Sequence, residues 1–422
     1  MSVYAQNVPM GSLSKSASGA LKFGYHSGWL ERQDAYPMSL SLPLSEQTYR
    51  EEVIAVLDNL LPDLAEVRST IATRVQARGT DPFSLLWEVG RDCVGALQFI
   101  PEHDPPPDQQ QVAGEALDDA QVGEILRALA TTPLGVNRET QDLRISIAGA
   151  QEKTALLNIE GTWHRPSGAT PSSHIIKPAL GTRGHLGLSQ SVENEHVCMN
   201  LVRAMGLEAA ETYVHTFDGT RALVIKRFDR VWRGDQLIRI PQEDLCQAFG
   251  IPSHLKYEAD GGPSMTQILE LLAQSDDPSD DQKRFLQANY VFWLLGATDG
   301  HAKNFSISLG AHNSFRLTPI YDVISLQPLV DAHQVNRREY RMAMSVGNSR
   351  HYKVMEILPR HFLQSAANAG IKEARARAWI DEMTQRLPSA IELVGNATDD
   401  PMQAAALKSI AAGATQRAEL AH

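Results

Sequence analysis

Apolar and polar residues alternate in two stretches near the start of the chain. Residues 21–25 and 38–44 both place apolar side chains at every second position. A period of two predicts half-buried β-strands. Apolar residues at helical spacing follow at 51–59 and 65–77, so the N-terminal region is expected to be β-rich with a few short helices.

A stretch without periodicity separates this region from the rest of the chain. Residues 101–111 are rich in proline and acid, which predicts a linker or an exposed loop. Further elements are predicted as strands at 154–159, 174–177 and 222–228, a helix at 191–205, and a hairpin at 305–309 and 315–318 around a G-A-H-N turn. A chain of 422 residues is too long for one core. We therefore expect an α+β protein with three domains, at 1–105, 112–230 and 231–422.

Charge and cysteine content narrow the class of protein. The formal net charge is -11 and the pI is about 5.7, so nucleic acid would have to bind through a local basic patch or a partner. The three cysteines form no C-x-x-C pair, which argues against a zinc ribbon or a disulfide framework and fits a reducing compartment. No secretory signal is evident, and the most apolar stretch, residues 290–297, is too short to span a bilayer and predicts a buried helix. We expect a soluble cytoplasmic protein.

The most informative segment is T-D-G-H-A-K-N, residues 298–304. Asp299 and Asn304 are five positions apart, the spacing of the catalytic aspartate and the metal-binding asparagine of protein kinases. After the predicted hairpin, P-I-Y-D ends in Asp322, where kinases keep a second magnesium-binding aspartate. A carboxylate that accepts a hydroxyl proton, with an amide and a carboxylate that hold magnesium, explains these residue types. Two other interpretations stay open, since Asp299 and His301 could be turn residues or ligands of a hydrolase metal site.

A lysine and a glutamate upstream fit the kinase interpretation. Lys177 ends the β run S-H-I-I-K-P, where a kinase keeps the lysine that grips the α- and β-phosphates. Glu195 falls on the apolar stripe of the predicted helix, between Val192 and Cys198. A glutamate on a buried face usually has a cation as its partner, so a pair of Lys177 and Glu195 is predicted. The alternative is a glutamate at the helix surface.

The segment R-I-S-I-A-G-A-Q-E-K-T, residues 144–154, contains several small residues and a glycine, and it leads into a predicted strand. Its backbone amides could hold phosphates, as those of a glycine-rich loop do. It contains neither G-x-G-x-x-G nor a Walker A motif, so from the residues alone a plain loop is the simpler interpretation.

Together these segments resemble the HipA family of bacterial toxin kinases. The matching stretches are S-I-A-G-A-Q-E-K-T-A-L-L, H-I-I-K-P, R-F-D-R, R-I-P-Q-E-D-L-C-Q-A-F-G, K-Y-E-A-D-G-G-P, G-A-T-D-G-H-A-K-N-F-S and L-T-P-I-Y-D-V-I-S, and the likeness extends over essentially the whole chain. The resemblance implies a bilobal protein-kinase-like fold, with a β-rich N-terminal subdomain and a mostly α-helical C-terminal lobe. It also implies an ATP- and Mg²⁺-dependent serine/threonine protein kinase.

The resemblance assigns roles to individual residues. Asp299 is implied to be the catalytic base, Asn304 and Asp322 the magnesium ligands, and Ser146 the serine that such kinases phosphorylate on themselves to switch off. The implied ATP-binding residues are Ala148, Gly149, Ala150, Gln151, Glu152, Lys153, Lys177, Lys226, Arg227, Phe228, His301, Ala302, Lys303, Asn304 and Tyr321. Residues 148–153 are implied to form the ATP-phosphate loop, and residues 226–228 the hinge beside adenine. Some relatives carry glutamate at the position of Lys226, and hinge contacts in the family are mainly made by the backbone.

The resemblance also implies partners. Among relatives the substrate is glutamyl-tRNA synthetase, whose phosphorylation stalls translation and yields dormant, drug-tolerant cells. The other partner is a small HipB-type helix-turn-helix antitoxin, which binds operator DNA together with the toxin and represses their operon. Basic residues between 337 and 353 could touch DNA phosphates or form a solvated helix face. Two alternatives stay open: a small-molecule kinase of the aminoglycoside or lipid-kinase type, and a non-catalytic corepressor that supports the antitoxin on DNA.

Overall fold

The computed structural model describes residues 1–107, 112–129, 151–183 and 186–421. The backbone forms two compact units. The β-rich unit is made of residues 1–178, 215–254 and 307–315, and the helical unit of residues 179–214, 255–306 and 316–422. The predicted α+β class, β-rich towards the N-terminus and helical towards the C-terminus, is confirmed. The domain limits at 105, 112 and 230 stay a prediction.

The β-rich unit begins with a four-stranded antiparallel sheet. Its strands are β1 (Ser2–Ala5), β2 (Val8–Lys15), β3 (Leu21–Tyr25) and β4 (Leu97–Ile100). They are arranged in the order β3-β2-β1-β4. In β3 the buried Leu21 and Phe23 alternate with the exposed Lys22, as the sequence pattern predicts. Between β3 and β4 the chain forms α1 (Ser27–Leu30), α2 (Glu52–Asn59), α3 (Ala65–Arg74) and α4 (Pro82–Val89).

The strand predicted at 38–44 is wrong. The structure has an isolated bridge between Ser39 and Leu42 there, which closes a turn. Pro37 and Pro43 flank the bridge, and neither has an amide hydrogen to give to a neighbouring strand. The alternating pattern therefore reflects a turn with some buried side chains.

A six-stranded sheet forms another part of the β-rich unit. Its strands are β5 (Gly114–Leu117), β6 (Thr154–Ile159), β7 (Thr162–Pro166), β8 (His174–Pro178), β11 (Thr212–Phe217) and β12 (Thr220–Lys226), and the helix α5 (Asp119–Leu129) follows β5. The strand order is β11-β12-β8-β6-β7-β5. Val122, Ile125 and Leu129 of α5 recur at helical spacing and join Trp163 and Phe217 in one apolar core.

The remaining strands of this part of the fold are short. They are β13 (Arg230–Arg233), β14 (Gln236–Arg239), β15 (Gln242–Asp244), β16 (Ser306–Leu309) and β17 (Phe315–Leu317), with the helix α7 (Leu245–Ala248) after β15. β13 pairs with β14, and β15, β16 and β17 form a three-stranded sheet in that order. The hairpin predicted around the G-A-H-N turn is confirmed as β16 and β17.

Three arginines and two aspartates form a buried ionic cluster in the β-rich unit, namely Asp92, Arg227, Asp229, Arg230 and Arg239. Asp92 accepts hydrogen bonds from Arg230 at 3.0 Å and Arg239 at 3.1 Å. Asp229 accepts from Arg227 at 2.7 Å and from Arg230 at 2.8 Å. Burial alone would raise the pKa of Asp92, but the charges of the three arginines outweigh it and hold that pKa well below its ordinary value. The carboxylate therefore stays ionised in the interior.

A second buried carboxyl group behaves in the opposite way. Glu243 of β15 is 1% exposed, and its Oε1 accepts the amide of Leu40 at 2.8 Å. Its Oε2 has no hydrogen-bond partner among the described residues. Burial raises the pKa of Glu243 to about 8, because desolvation outweighs the hydrogen bonds from Leu40 and Ser39. Glu243 is therefore largely protonated at neutral pH.

We expect the free energy of unfolding to fall as the pH rises from 5 to 8, and we expect Glu243→Gln to lack the part of this decrease that Glu243 causes. The unfolded carboxyl loses its proton near its ordinary pKa, whereas the folded one keeps it until the pH rises through about 8. The folded state therefore loses at most about 1.4 kcal/mol per pH unit across this window, a loss that the neutral glutamine does not suffer. Thermal unfolding of both proteins at several pH values measures the difference. Glu270→Gln, at an exposed helical position, is the control, and parallel profiles for wild type and Glu243→Gln would contradict the prediction.

The helical unit is built around one buried helix. Its helices are α6 (Ser191–Ala204), α8 (Met265–Leu272), α9 (Pro278–Leu295), α10 (Gln327–Asp331), α11 (Pro359–Asn368), α12 (Glu373–Asn396) and α13 (Pro401–Ala418), and its strands are β9 (Gly181–Arg183), β10 (Leu186–Leu188), β18 (Arg341–Val346) and β19 (His351–Lys353). Phe285, Tyr290 and Trp293 of α9 are fully buried, and α9 packs against α6, α8, α11, α12 and α13. Among the described helices, none has both the length and the apolar character that a membrane crossing requires.

The end of α9 determines where the next loop begins. Gly296 caps the helix in a left-handed conformation with a φ of 67°. A β-carbon at this position would overlap the hydroxyl of Tyr340. Backbone conformation and close packing therefore both favour glycine here, and the chain turns directly into T-D-G-H-A-K-N.

Candidate active site

The loop that follows α9 is fixed by its own backbone and by β18. The carbonyl oxygen of Thr298 accepts the amide of Ala343 at 2.8 Å. The carbonyl oxygen of Asp299 accepts the amide of His301 at 2.8 Å and Nδ2 of Asn304 at 2.7 Å. His301 and Asn304 are buried, whereas the Asp299 side chain is 51% exposed. The D-x-x-x-x-N spacing thus produces a compact turn with one accessible carboxylate.

The carboxylate of Asp299 is oriented by a tyrosine and a histidine. The Tyr257 hydroxyl donates to Oδ1 at 2.7 Å, and Nε2 of His301 lies 3.9 Å from Oδ2. The two rings meet edge to face with their centroids 5.0 Å apart. The hydrogen bond from Tyr257 thus restricts the rotation of the carboxylate, and His301 lies beside its second oxygen. A carboxylate held in this way suits a group that must meet a substrate hydroxyl at hydrogen-bond distance.

Sequence reasoning does not single out Tyr257, which lies in K-Y-E-A-D-G-G-P. Gly262 of this stretch donates its amide to the carbonyl oxygen of Tyr257 at 2.9 Å. A β-carbon on Gly262 would lie 2.9 Å or less from the carbonyl oxygens of Leu255, Lys256 and Tyr257. Only glycine permits this approach, so the G-G pair was a usable sign of a tightly folded segment. No spacing rule connects that segment with the D-x-x-x-x-N loop.

Glu258 anchors the same segment to β18 and to the turn that follows it. Its carboxylate accepts the amide of Ser345 at 2.5 Å, the hydroxyl of Ser345 at 2.8 Å and the guanidinium of Arg350 at 3.0 Å. The Glu258 side chain is only 4% exposed. Tyr257 is therefore held in place through the residues that follow it.

The segment P-I-Y-D is joined to the D-x-x-x-x-N loop through Tyr321. The Tyr321 hydroxyl donates to the carbonyl oxygen of Lys303 at 2.9 Å and lies 2.6 Å from Oγ of Ser306. Asp322 follows with a φ of 59°, a left-handed conformation that costs a non-glycine residue on the order of 1–2 kcal/mol. Backbone strain of this kind occurs preferentially at functional sites. The structure thus brings Tyr321 to the loop and places Asp322 one residue beyond that contact.

The two residues predicted to bind magnesium supply oxygen atoms, the donors that Mg²⁺ prefers. Asn304 uses its Nδ2 for Asp299, and its Oδ1 accepts no hydrogen bond from the described residues. Asp322 adds a carboxylate. In the part of the chain that the structure describes, no three His, Cys, Asp or Glu side chains are grouped to hold a metal. The oxygen donors of Asn304 and Asp322 are thus of the type that suits Mg²⁺, and their role as magnesium ligands stays a prediction.

Other predicted ATP-binding residues lie on neighbouring strands of the β-rich unit. Lys177 of β8 is 4% exposed and stands opposite Leu223 of β12. Gln151 donates its Nε2 to the carbonyl oxygen of Pro178 at 3.3 Å. Residues 151–153, the last three of the predicted phosphate loop, are thereby attached to the end of the lysine strand.

The predicted hinge, residues 226–228, begins at the last residue of β12. Lys226 is exposed and Phe228 is half-buried. Arg227 is buried, with its guanidinium in the ionic cluster and its amide donating to the carbonyl oxygen of Ser173 at 3.0 Å. Since the Arg227 side chain is engaged there, this residue could reach a nucleotide only through its backbone.

Glu195 lies on α6 of the helical unit and is 3% exposed. The same face buries Val192 and Cys198, as the apolar stripe predicts. Glu195 and Lys177 belong to different units, and their pairing stays a prediction. The remaining predicted residues, Ser146, Ala148, Gly149 and Ala150, lie outside the described residues.

The arrangement around Asp299 is the one expected of a phosphotransferase of the protein-kinase type. Models of two domains match the chain, the HipA N-terminal domain at residues 1–100 and the HipA-like C-terminal domain at residues 145–391. The chain belongs to the HipA family.

Known proteins are similar to the chain over most of its length. "Putative kinase Y4mE" of Sinorhizobium fredii is 32% identical over 403 residues, which cover 93% of this chain and 90% of that protein. "Serine/threonine-protein kinase toxin HipA" of Shewanella oneidensis is 26% identical over 350 residues, or 79% and 77% of the two chains. The solved complex of Shewanella oneidensis MR-1 HipA with HipB and operator DNA contains a chain of the same fold, with a TM-score of 0.82 at 22% identity over 99% of this chain and 96% of that chain.

These similarities confirm the family and the class of enzyme predicted from the sequence motifs. The chain is a HipA-like serine/threonine protein kinase of the toxin class, and kinase chemistry implies the use of ATP. The alternative of an aminoglycoside- or lipid-kinase type receives no support from these matches.

Proposed function

We propose that this chain transfers the γ-phosphoryl group of ATP to a serine or threonine hydroxyl of a protein, with Asp299 as the base. The observation that carries the proposal is the Asp299 carboxylate, which is half exposed yet held by Tyr257 and by the turn that Asn304 closes. A carboxylate in this state can meet an incoming hydroxyl without a large rearrangement.

The other predicted residues would position the nucleotide. Asn304 and Asp322 would hold Mg²⁺, which neutralises charge on the phosphates when it is bound. Lys177, paired with Glu195, would hold the α- and β-phosphates. Further ATP contacts are assigned to residues 148–153, the backbone of 226–228, residues 301–304 and Tyr321. The burial of Lys177 and the attachment of Gln151 to its strand support this assignment.

We further propose glutamyl-tRNA synthetase as the substrate, because the family resemblance implies it, with translation in the cytoplasm as the process that is stalled. Phosphoproteomics after induction, comparing wild type with Asp299→Asn, tests this without a prior choice of substrate. An Asp299-dependent phosphosite on glutamyl-tRNA synthetase would support the proposal. A different main target would replace the substrate and keep the kinase, whereas the absence of any Asp299-dependent site would contradict both.

Ser146 is expected to be phosphorylated by the kinase itself, with loss of ATP affinity. A phosphate adds about −1.5 to −2 charges at neutral pH, and the phosphates of ATP repel that charge. Because Ser146 precedes the predicted phosphate loop by two residues, we expect transfer between two molecules and a rate that rises with protein concentration. Intact-mass measurement after incubation with Mg²⁺ and ATP detects the product.

Three variants make the Ser146 experiment specific. The added phosphate should map to Ser146 and be absent from Asp299→Asn and from Ser146→Ala. Ser167→Ala, which changes an exposed serine of the same unit, should be modified like wild type. Complete phosphorylation at another position with Ser146 unmodified would refute the assignment.

We expect the isolated chain to bind DNA weakly, and its complex with a HipB-type antitoxin to bind a palindromic operator in a salt-dependent way. The net charge of -11 opposes direct binding. The basic stretch 337–353 contains the hairpin β18–β19, in which Arg350 pairs with Glu258 and Lys353 with Glu356. Gel-shift titrations with and without the antitoxin, at two salt concentrations, measure the effect. Tight sequence-specific binding by the isolated chain would show that this proposal is wrong.

A further inference from the structure

The helical unit contains a polar cavity for which the proposed chemistry has no use. Its volume is about 330 Å³, at the small end of the range for ligand pockets. The first turn of α8, the turn between β18 and β19, and α11 form its walls. Residues of the lining that decide its chemistry are Glu258, Thr266, Gln267, Asn348, Arg350 and Asn368.

The cavity is connected to the Asp299 loop by two separate chain segments. Glu258, on its wall, directly follows Tyr257, whose hydroxyl donates to Asp299. In β18, Ala343 donates its amide to the residue before Asp299, and Ser345 lies on the cavity wall two residues later. Two of the segments that form the cavity wall therefore also hold the loop that carries the proposed base.

The lining suits a polar and largely uncharged occupant. Gln267 caps α8 through its Oε1, and Asn348 accepts from Asn368 through its Oδ1. The side-chain NH₂ groups of Gln267 and Asn348 have no partner among the described residues, so they can donate to a bound molecule. The lining contains one arginine, Arg350, and its guanidinium already pairs with Glu258. The cavity thus offers amide groups that match a peptide backbone, and it lacks the surplus positive charge that nucleic acid requires.

We propose that this cavity binds an extended segment of the acceptor protein beside the hydroxyl that is phosphorylated. The proposal rests on the kinase function proposed above and adds the place where the acceptor is recognised. Hydrogen bonds from Gln267 and Asn348 to the acceptor backbone would hold the segment, and its hydroxyl would then reach Asp299. The cavity should therefore govern the KM for the acceptor and leave ATP binding unaffected.

Two substitutions fill the cavity from different elements, Thr266→Trp on α8 and Asn348→Trp on the turn between β18 and β19. Ala367→Trp places the same side chain on an exposed position of α11 outside the lining and is the matched control. The probes are a library of serine-centred peptides and purified glutamyl-tRNA synthetase. We expect kcat/KM for both acceptors to fall by roughly tenfold or more in the cavity variants and to stay at the wild-type value in the control. Magnesium-dependent ATP hydrolysis without an acceptor should be unchanged in all three.

The outcomes separate this proposal from the kinase function. Equal acceptor phosphorylation in the cavity variants and the control would overturn the proposal and leave the kinase in place. If the cavity variants lost both acceptor phosphorylation and ATP hydrolysis, the cavity would have a structural role. This result would also overturn the proposal. Asn348→Ala removes only the side-chain amide and decides the question if a tryptophan variant unfolds, since KM for the peptides should rise with kcat unchanged. A wild-type protein that modifies neither acceptor and gives no Asp299-dependent phosphosite after induction would refute the kinase function itself.

Discussion

Replacing Asp299 by asparagine should abolish phosphoryl transfer and leave the fold intact. Asparagine keeps the shape of the side chain and can still accept from Tyr257, but it cannot take the proton of an attacking hydroxyl. The bonds that close the loop use the carbonyl oxygen of Asp299 and not its carboxylate. We therefore expect turnover to fall by about 100-fold or more and the free energy of unfolding to change by less than about 0.5 kcal/mol. Transfer of radiolabelled phosphate and thermal unfolding measure the two effects.

Three further variants show whether that result comes from the loss of the base. Asp276→Asn changes an exposed carboxylate of the same unit and should behave like wild type. Asp322→Ala should abolish transfer and also weaken magnesium-dependent ATP binding, because it removes a proposed metal ligand. Tyr257→Phe keeps the base and removes one hydrogen bond, so kcat should fall partially while ATP affinity stays unchanged. Near wild-type turnover in Asp299→Asn would show that the active site has been assigned to the wrong residues.

The loop around Asp299 could be predicted from the sequence because its geometry is local. The bond from Asn304 to the Asp299 carbonyl joins residues five positions apart, so spacing and residue type carry the information. The hydrogen bond from Tyr257 to Asp299 joins residues 42 positions apart. It depends on how K-Y-E-A-D-G-G-P folds against β18, which no periodicity in the chain expresses. The role of Tyr257 therefore became visible only in the structure.

Two stretches with strand-like patterns show why one prediction succeeded and the other did not. Between β16 and β17, His312 and Asn313 both have positive φ, with values of 57° and 65°, and such residues let a chain reverse between paired strands. At 38–44 the alternation is equally regular, but the prolines prevent a ladder of hydrogen bonds. In both stretches the residues that form or flank the turn indicated the structure better than the alternation of apolar and polar residues did.

The motif R-F-D-R marks another limit of sequence reasoning. The family resemblance assigns its first two residues to the hinge, yet Arg227, Asp229 and Arg230 are buried in the ionic cluster with Asp92. The bond from Arg230 to Asp92 joins residues 138 positions apart. Charge pairs at this separation have no signature in one sequence, so the motif's structural role could not be predicted.

Replacing Asp92 by asparagine should destabilise the protein by roughly 3–5 kcal/mol, because the three buried arginines would keep only Asp229 as a counter-charge. Asp92 also accepts the amide and the hydroxyl of Ser172 at 3.0 Å and 2.7 Å, and asparagine cannot serve all of these donors. Urea unfolding monitored by tryptophan fluorescence measures the loss. Asp34→Asn is the matched control, since Asp34 forms an exposed pair with Arg32 at 2.8 Å and should contribute nothing measurable. Arg227 lies in the predicted hinge, so ATP affinity of Asp92→Asn should fall as well. Wild-type stability in Asp92→Asn would mean that the cluster tolerates unpaired positive charge, which its burial argues against.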